Sequence, residues 1–355
     1  MSSTFVMAGG GTGGHVIPAL AVARALRARG HAVRFIGTRR GMEAKLIPPE
    51  NFPIEWIEIG GLKRVGLRQT LATLAELPWS VWQAARMLDR AKPAAVFSTG
   101  GFVAGPVLLA ALWKRLPVVV MEPNAVPGFT HRRLGRWVAR ALVSFPETGR
   151  WFPKGRTEVT GMPVREEFFS IAPKPRGKSL TILITGGSQG SRALNQAVEQ
   201  SWPLWKIPVR WLHQAGAADY EGIRTRFRES KMEGEITAFL DDMPRAFAEA
   251  DLVISRSGMG TVSELAAAGK PSILVPLPTA SDQHQLRNAE AFEKAGAARL
   301  IQQSELNGAR LAEEVTKLAA TSGVLEAMRA AARAFAKPGA AQTAADVLES
   351  LGKPG

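Results

Sequence analysis

Short apolar runs alternate with amphipathic stretches along the whole chain. In the first half, the runs that have the length and composition of buried strands are 4–8, 33–37, 94–98, 118–121 and 141–145. In the second half, they are 180–185, 209–213, 236–239, 251–255 and 272–276. Most of the segments between them have helical periodicity. Because alternating strands and helices form parallel sheets, we expect an α/β protein with two Rossmann-like halves.

The chain has 355 residues, which exceeds the usual size of a domain with one hydrophobic core, so we expect two domains. We place the boundary near Met162 and Pro163, which gives a domain of residues 1–163 and a second of residues 164–340. The Ala-rich residues 341–355 form a predicted helical tail, which could pack back on the first domain. The first helix is expected to begin near Pro18 and to end at Arg29, with Gly30 as its cap.

Composition narrows the classes of protein. The chain has no cysteine, which excludes disulfides and thiolate metal sites, and no apolar stretch approaches the length of a membrane span. Residues 1–163 carry nearly all of the net charge of +14, and six of the nine tryptophans lie there too. Basic charge combined with tryptophan suits an anionic membrane surface, and it would also suit nucleic acid.

Two glycine loops stand where a strand meets a helix. The first glycine loop (residues 9–14) precedes His15, and the second glycine loop (residues 186–191) follows the run 180–185. Backbone N–H groups and the helix dipole make such junctions anion sites. The first loop matches the dinucleotide pattern Gly-x-Gly-x-x-Gly, but it lacks the acidic residue that NAD requires about 20 residues later. A tight turn without a ligand is the alternative.

A third glycine loop (residues 99–106, with Gly100 and Gly101) and the sequence Glu122-Pro123-Asn124 follow neighbouring predicted strands. The carboxyl ends of such strands form the usual ligand edge. His15 at a helix start is suited to general-base chemistry if it stays neutral, although it could serve only as a hydrogen-bonding residue. Glu122 could act in the reaction or only in a turn. No cluster with the spacing of metal ligands occurs, so we predict no metal and no cofactor.

The second half contains Thr261-x-x-Glu264, which has two interpretations. As a capping box, Glu264 would bind a backbone N–H at the start of a helix. As a binding residue, it would accept hydrogen bonds from the two hydroxyls of a ribose. The run 282–285, which includes His284 and Gln285, could bind sugar hydroxyls or form a solvated turn.

An apolar stripe runs through residues 67–82 and is flanked by basic residues. It includes Leu71, Leu74, Trp79 and Trp82. It could belong to the core, but a tryptophan-bearing helix interrupted by Pro78 and surrounded by arginine also fits a membrane anchor. Arg132, Arg136 and Arg140 would form one cationic helix face, either solvated or directed at a membrane.

Four motifs in order and spacing, over essentially the whole chain, resemble those of the MurG family of bacterial N-acetylglucosaminyltransferases. The motifs are Gly10-Gly11-Thr12-Gly13-Gly14-His15, Gly100-Gly101-Phe102, Gly186-Gly187-Ser188-Gln189-Gly190 and the run 257–264. The chain departs from the family pattern at Met162, Pro123 and His284, where the family usually has Asn, Gln and Gln.

The resemblance implies a GT-B fold, in which two Rossmann-like domains have parallel sheets that face each other across a cleft. It also implies an inverting transfer of N-acetylglucosamine from UDP-GlcNAc to the 4-hydroxyl of the muramoyl sugar of lipid I (undecaprenyl-pyrophosphoryl-MurNAc-pentapeptide), giving lipid II for peptidoglycan synthesis. Such an enzyme acts at the cytoplasmic face of the bacterial inner membrane as a peripheral protein. Cell-wall and division-machinery proteins are candidate partners.

The resemblance also implies roles for individual residues. The second domain would bind UDP-GlcNAc, with Glu264 at the ribose, Leu240 and Met243 beside the uracil, Ser188 and the helix start at Thr261 at the phosphates, and Gln285 at the sugar. The other implied donor-site residues are Thr12, Gly13, Gly14, Asn124, Arg165, Met259, Gly260, Val262 and Ser263. The acceptor diphosphate would lie at Gly11, Thr12, Gly13, Gly100 and Gly101. Leu71, Leu74, Trp79, Trp82 and Trp113 would face the membrane, and His15 or Glu122 would be the catalytic base.

The sequence is also compatible with three other functions. A UDP-GlcNAc 2-epimerase would use the same donor site but gives no reason for the basic, Trp-rich first half. A dinucleotide oxidoreductase would need NADPH at the first glycine loop. A nucleic-acid-binding protein would show strongly salt-dependent affinity and would leave both glycine loops unexplained.

Overall fold

The computed structural model describes residues 2–59, 67–175, 177–187 and 189–352. The chain divides into two compact units. The first unit comprises Met1–Pro163 and Gly339–Gly355, and the second unit comprises Val164–Pro338.

The first unit contains a parallel sheet of seven strands in the order β3-β2-β1-β4-β5-β6-β7. The strands are β1 Thr4–Gly9, β2 Ala32–Gly37, β3 Ile54–Trp56, β4 Ala95–Gly100, β5 Val118–Glu122, β6 Arg140–Val143 and β7 Thr157–Val159. Alternate side chains of β1 bury opposite faces of this sheet: Phe5 and Met7 pack on one side, Val6 and Ala8 on the other. Burial on both faces explains why the parallel strands are almost continuously apolar.

The helices of the first unit cover both faces. They are α1 Gly13–Ala28, α2 Glu43–Leu46, α3 Leu67–Ala91, α4 Ala104–Trp113, α5 Phe129–Leu134 and α14 Ala340–Gly352. The C-terminal helix α14 packs against α1 and buries Ala344, Ala345 and Leu348 in the same core as Phe5. Its Asp346 pairs with Arg29 at 2.6 Å.

Several local expectations for this unit are wrong. Helix α1 begins at Gly13 rather than near Pro18, and Pro18 lies inside it. The helix α3 likewise continues through Pro78. Each proline removes one hydrogen bond, which the rest of a 16-residue or 25-residue helix tolerates. Arg132, Arg136 and Arg140 do not share a helix, because α5 ends at Leu134 and Arg140 opens β6.

The second unit contains a parallel sheet of six strands in the order β10-β9-β8-β11-β12-β13. The strands are β8 Leu180–Thr185, β9 Val209–Gln214, β10 Glu233–Thr237, β11 Leu252–Ser255, β12 Ser272–Leu274 and β13 Ala298–Leu300. The helices are α6 Glu166–Phe169, α7 Arg192–Ser201, α8 Tyr220–Ser230, α9 Met243–Glu249, α10 Met259–Ala268, α11 His284–Lys294, α12 Gly308–Ala320 and α13 Val324–Phe335. Trp211 on β9 is fully buried in the core of this unit.

The predicted α/β class with two parallel sheets is confirmed. The sequence missed β3, β7 and β13, which have three residues each and lie at or next to the ends of their sheets. Strand β10 lies earlier than the expected run 236–239, because the exposed Glu233 and Glu235 take part in pairing with β9.

Candidate functional site

The second unit has a cavity of about 670 Å³ at the carboxyl ends of β8 and β11. This volume lies within the range of small-molecule sites. The second glycine loop forms one wall, and the start of α10 forms another. The lining residues are Gly186, Gly187, Gln189, Gly190, Ser191, Arg192, Ala193, Gln196, Arg256, Gly258, Thr261, Leu277, Gln285 and Gln303.

The second glycine loop lies against the turn that follows β9. A Cβ atom on Gly190 would lie 2.2 Å from the carbonyl oxygen of Ala215, and one on Gly216 would lie 2.3 Å from that of Gln189. Both glycines have a positive φ, +74° and +82°. The glycines therefore allow the two backbone segments to pack closely, and they also leave the cavity accessible.

Arg256 is a cavity residue that the sequence reasoning missed. Its guanidinium donates to Ser191 Oγ at 2.8 Å and to Gln303 Oε1 at 2.7 Å, and also to the carbonyl oxygens that follow β12. Partial burial lowers the pKa of Arg256 from its usual value. Its place directly after β11, two residues before Gly258, was the available signal, because side chains at that sheet edge converge on the cavity.

Gln285, at the start of α11, lies in the cavity wall with a fixed side chain. Its Oε1 accepts a hydrogen bond from the backbone N–H of Leu277 at 3.0 Å, and its backbone oxygen accepts one from Ser257 Oγ at 2.8 Å. Since the carbonyl end of the amide is engaged, the NH₂ group is the end directed toward Gly258.

Helix α10 begins at Met259 with Gly258 as its N-cap, two residues earlier than expected. Thr261 is therefore inside the first turn, and the interpretation of Thr261 and Glu264 as a capping box is wrong. Burial raises the pKa of Glu264 to about 7, against the charge of Arg165, which lowers it. A partly buried carboxyl group of this kind, one turn from the cavity, is a candidate binding residue.

The other predicted donor-site residues of the second unit lie around the same edge. Leu240 and Met243 are partly exposed between β10 and the start of α9, and Arg165 is exposed at the start of α6. Met259, Val262 and Ser263 are buried on α10, whereas Gly260 is partly exposed. The Val262 N–H donates to the carbonyl oxygen of Gly258, so it is not available to a ligand. Ser188 lies outside the described residues.

In the first unit, His15 and Thr99 bind each other reciprocally. His15 Nδ1 lies 2.7 Å from the carbonyl oxygen of Thr99, and Thr99 Oγ1 donates to the carbonyl oxygen of His15 at 2.7 Å. Because a carbonyl only accepts, the proton of the imidazole must be on Nδ1, and Nε2 of the neutral ring has a lone pair. The arrangement gives His15 the tautomer that a general base with Nε2 as its basic atom requires.

Glu122 is buried and its carboxyl group accepts four hydrogen bonds. Oε1 accepts from the backbone N–H and the Nδ2 of Asn124 at 3.1 and 3.0 Å. Oε2 accepts from the backbone N–H of Gly128 and from His131 Nδ1, both at 3.0 Å. Burial raises the pKa of Glu122, but these donors outweigh it and the pKa is lowered overall. Both properties argue against Glu122 as a base and in favour of a role in shaping this loop.

The first glycine loop differs from the expected anion site at one position. The backbone N–H of Gly11 donates to Glu43 Oε2 at 2.8 Å, so this group is not available to the acceptor diphosphate that was expected there. Thr12 is the N-cap of α1, and Gly13 and Gly14 form its first turn. Helix N–H groups at those three positions remain candidate donors to an anion.

The third glycine loop touches the first. A Cβ atom on Gly101 would lie 2.2 Å from the carbonyl oxygen of Gly10, and one on Gly100 would lie 3.4 Å from Cε1 of both His15 and His131. The fold therefore brings His15, Glu122 and the glycines of both loops to one edge of the first sheet, as the sequence predicts.

Exposed tryptophans mark helices α3 and α4, which pack against each other. Trp79 and Trp82 stack with ring centroids 4.6 Å apart, and the Arg86 guanidinium lies 5.1 Å from the Trp82 ring. Trp113, at the end of α4, has Lys114 Nζ 5.7 Å from its ring. The side chains of Leu71 and Leu74 lie outside the described residues.

Among the residues that the structure describes, no three acidic, histidine or cysteine side chains are grouped as metal ligands. No helix in the described part of the chain has the length and apolar character to cross a bilayer.

Two protein-family models match the chain. The glycosyltransferase family 28 N-terminal domain matches residues 5–143, and the glycosyltransferase family 28 C-terminal domain matches residues 181–344. The first match falls within the first unit, and the second covers most of the second unit and continues into the C-terminal segment of the first.

Individual relatives match over the full length. A protein of Solibacter usitatus named UDP-N-acetylglucosamine--N-acetylmuramyl-(pentapeptide) pyrophosphoryl-undecaprenol N-acetylglucosamine transferase is 60% identical, over 99% of this chain and 97% of that protein. A protein of the same name from Azotobacter vinelandii is 42% identical over 98% of both chains.

Solved structures with a similar fold also cover nearly the whole chain. The crystal structure of Acinetobacter baumannii MurG has a TM-score of 0.86 and 34% identity, over 98% of this chain and 99% of that one. A UDP-GlcNAc 2-epimerase from Neisseria meningitidis has a TM-score of 0.68 at 15% identity, over 99% of this chain and all of that one, which shows a shared fold alone. The expected GT-B fold with two Rossmann-like domains is confirmed.

Proposed function

Since this chain belongs to the MurG family of glycosyltransferases, we propose that it transfers N-acetylglucosamine from UDP-GlcNAc to the 4-hydroxyl of the muramoyl sugar of lipid I, with inversion, to give lipid II. The names of its relatives specify this donor and an undecaprenyl-linked muramyl acceptor. The observation that carries the proposal is the cavity between the second glycine loop and the start of α10, which suits a nucleotide diphosphate sugar.

The second unit binds the donor in this proposal. Glu264 accepts the ribose hydroxyls, and the α10 N-terminus at Thr261, together with Ser188, binds the diphosphate. Leu240 and Met243 border the uracil, and the Gln285 NH₂ group donates to a sugar hydroxyl. Met259 and Gly260 contribute backbone N–H groups of the first turn. Val262 and Ser263, together with Thr12, Gly13, Gly14 and Asn124 of the first unit, stay predicted donor-site residues.

The departing UDP needs compensation for the negative charge that develops on its diphosphate. The helix N-terminus, Arg165 and Arg256 supply it in our proposal, since cations and aligned N–H groups stabilise a developing anion. Arg256 adds to the prediction from sequence, because its guanidinium lies in the cavity wall.

His15 is the proposed general base. Its Nδ1–H is fixed on the Thr99 carbonyl, so Nε2 can take the proton of the attacking hydroxyl. Glu122 keeps a supporting role, because its oxygens already accept four hydrogen bonds. The N–H groups of Thr12, Gly13, Gly14 and Gly101 are proposed to meet the acceptor diphosphate, whereas the Gly100 N–H donates to Ser98 Oγ.

We place the enzyme on the cytoplasmic face of the inner membrane as a peripheral protein. The excess of positive charge in residues 1–163 and the exposed Trp79, Trp82 and Trp113 support contact with anionic lipid. In this proposal the positive charge of the first unit binds anionic lipid rather than nucleic acid.

One incubation tests donor, acceptor and metal dependence together. Purified protein is mixed with UDP-GlcNAc and a lipid I analogue, with and without a chelator; the lipid product is identified by mass spectrometry, and the nucleotide sugar by proton nuclear magnetic resonance, which distinguishes C2 epimers of equal mass. We expect a disaccharide-lipid product and UDP in both samples. Conversion of UDP-GlcNAc alone into UDP-ManNAc would instead support an epimerase and contradict the proposal.

A further inference from the structure

A line of hydrogen bonds runs from His15 into the interior of the first unit. His15 Nδ1–H donates to the carbonyl oxygen of Thr99. The Thr99 carbonyl and the Gly100 N–H belong to the same peptide group, and that N–H donates to Ser98 Oγ at 3.1 Å. The pairing of β1 with β4 shifts register here, joining Ala8 to Ser98 and Gly9 to Gly100. Thr99 is skipped, as in the bulges common beside active sites.

The line continues from Ser98 to a buried carboxyl group. Ser98 Oγ lies 3.2 Å from His131 Nε2, and His131 Nδ1 lies 3.0 Å from Glu122 Oε2. Ser98, Thr99, His131 and Glu122 are each at most 3% exposed. Hydrogen bonds in such surroundings are stronger than in water and polarise one another.

The two ends of the line determine where its protons lie. The Gly100 N–H can only donate, so Ser98 Oγ accepts from it and uses its own proton for His131 Nε2. The ionised Glu122 can only accept, so His131 Nδ1 donates to it, and the proton of a singly protonated His131 lies on Nδ1. In that tautomer each donor points from His15 toward Glu122, and the bonds reinforce one another.

We propose that Ser98, His131 and Glu122 are positioning residues that act on His15 through the Thr99–Gly100 peptide. They make the Thr99 carbonyl a stronger acceptor, hold the His15 proton on Nδ1 and raise the proton affinity of Nε2. The inference rests on the proposed role of His15 as the base. A carboxylate that holds a catalytic imidazole directly is well known; here a serine, a histidine and a peptide group lie between the two.

Gly100 fits this arrangement. Its φ of +91° suits glycine, and a Cβ atom there would lie 3.4 Å from Cε1 of both imidazoles. The two rings thus flank the peptide that joins them.

Ser98→Ala breaks the line with the smallest change in volume. Ser144→Ala is the matched control: Ser144 is also buried in the first unit, and its Oγ has no hydrogen-bond partner among the described residues. We expect Ser98→Ala to lower kcat about tenfold, a part of the 10²–10⁴ that general-base catalysis usually contributes. The KM for UDP-GlcNAc should stay within about twofold, and Ser144→Ala should resemble the wild type.

Nuclear magnetic resonance of ¹⁵N-labelled histidine provides a readout that does not depend on turnover. The wild type should carry the protons of both His15 and His131 on Nδ1, and Ser98→Ala should move the His15 resonances while Ser144→Ala leaves them in place. A wild-type His131 that carries a proton on Nε2, or a Ser98→Ala variant with the kcat and His15 resonances of Ser144→Ala, would overturn the proposal.

A double variant separates a connected line from independent structural damage. Glu122→Gln should also lower kcat about tenfold, and Ser98→Ala combined with Glu122→Gln should lose no more than about tenfold in total, because either change already breaks the line. Multiplication of the two losses would contradict it. If the wild type forms no lipid II, the proposed function fails, whereas the resonance measurements still decide about the line.

Discussion

Glu43 and Gly11 form a hydrogen bond that fixes the first glycine loop: the buried carboxyl group accepts the Gly11 N–H at 2.8 Å. The other oxygen of Glu43 accepts from the backbone N–H and the hydroxyl of Thr38, at 3.0 and 2.7 Å. A Cβ atom on Gly10 would lie 2.6 Å from Glu43 Oε1, so glycine is required beside the carboxyl group. The loop is thus shaped by a carboxylate of the protein itself.

We expect Glu43→Gln to loosen this loop. An amide NH₂ would face either the Gly11 N–H or the Thr38 N–H, and an unsatisfied buried donor costs about 2 kcal/mol. Hydrogen exchange of the Gly11 amide should become about thirtyfold faster. Glu158→Gln, at an exposed position on β7, is the control and should leave the exchange unchanged. Equal exchange in both variants would show that Glu43 does not hold the loop.

The contact between Gly190 and Gly216 yields a steric prediction. Gly190→Ala and Gly216→Ala should each destabilise the second unit by more than Gly323→Ala, measured as the free energy of unfolding in urea. Gly323 has a similar φ of +76° but nothing within 4 Å of its Cβ position. The control therefore carries the backbone strain of about 1–2 kcal/mol without the clash. Equal losses at the three positions would mean that the contact is unimportant.

Sequence patterns predicted the structural features that depend on the local spacing of residues along the chain. The strand runs, the junctions at both glycine loops and the meeting of His15 with the third glycine loop all follow from β/α alternation, because the carboxyl ends of parallel strands share one edge. The position of His131 beside Glu122 does not follow, since it depends on how α5 packs over that edge.

The missed features have a common physical cause. Glu43 lies 32 residues from Gly11, and Arg256 lies 65 residues from Ser191. Buried polar side chains find partners that are distant in the chain, and periodicity carries no information about such pairs. The capping-box interpretation of Thr261 failed for a related reason: Gly258 already provides an extended N-cap, so the helix begins earlier.

The raised pKa of Glu264 predicts a pH-dependent stability. The folded protein keeps a proton on Glu264 up to about pH 7, whereas the unfolded chain releases it near 4.5. Stability therefore falls as the pH rises from 4.5 to 7, and the penalty is complete above pH 7. Glu264→Gln should be more stable than the wild type at pH 8, by on the order of 2 kcal/mol, and about equal at pH 4.

Urea unfolding of the ligand-free protein at both pH values measures this difference. Glu235→Gln, at an exposed position on β10, is the control and should show no such change. A Glu264→Gln variant that is less stable than the wild type at pH 8 would contradict the direction of the shift. The same variant should bind UDP more weakly at pH 8, because the uncharged amide has one accepting oxygen where the carboxylate has two for the ribose hydroxyls.

The general-base role predicts a selective kinetic defect. His15→Ala should lower kcat by about 10²-fold or more, with little change in the KM for UDP-GlcNAc, because it removes proton transfer rather than donor contacts. Steady-state kinetics with the lipid I analogue measure both. Near-normal turnover in His15→Ala, together with a complete loss in Glu122→Gln that leaves UDP-GlcNAc binding intact, would transfer the role to Glu122.

The exposed tryptophans predict membrane binding that depends on aromatic side chains as well as charge. Trp113, Trp79 and Trp82 are 73%, 53% and 45% exposed, and each of Trp82 and Trp113 has a cation beside its ring. Rings of this kind partition into the headgroup region, where neighbouring basic residues meet anionic lipid.

Replacing all three tryptophans by alanine should reduce binding to phosphatidylglycerol vesicles at least about tenfold, since each substitution removes apolar contact with lipid. Sedimentation with vesicles measures this, and Phe239→Ala, which removes a 56% exposed aromatic from the second unit, is the control. Equal binding of the two variants would assign the attachment to charge alone.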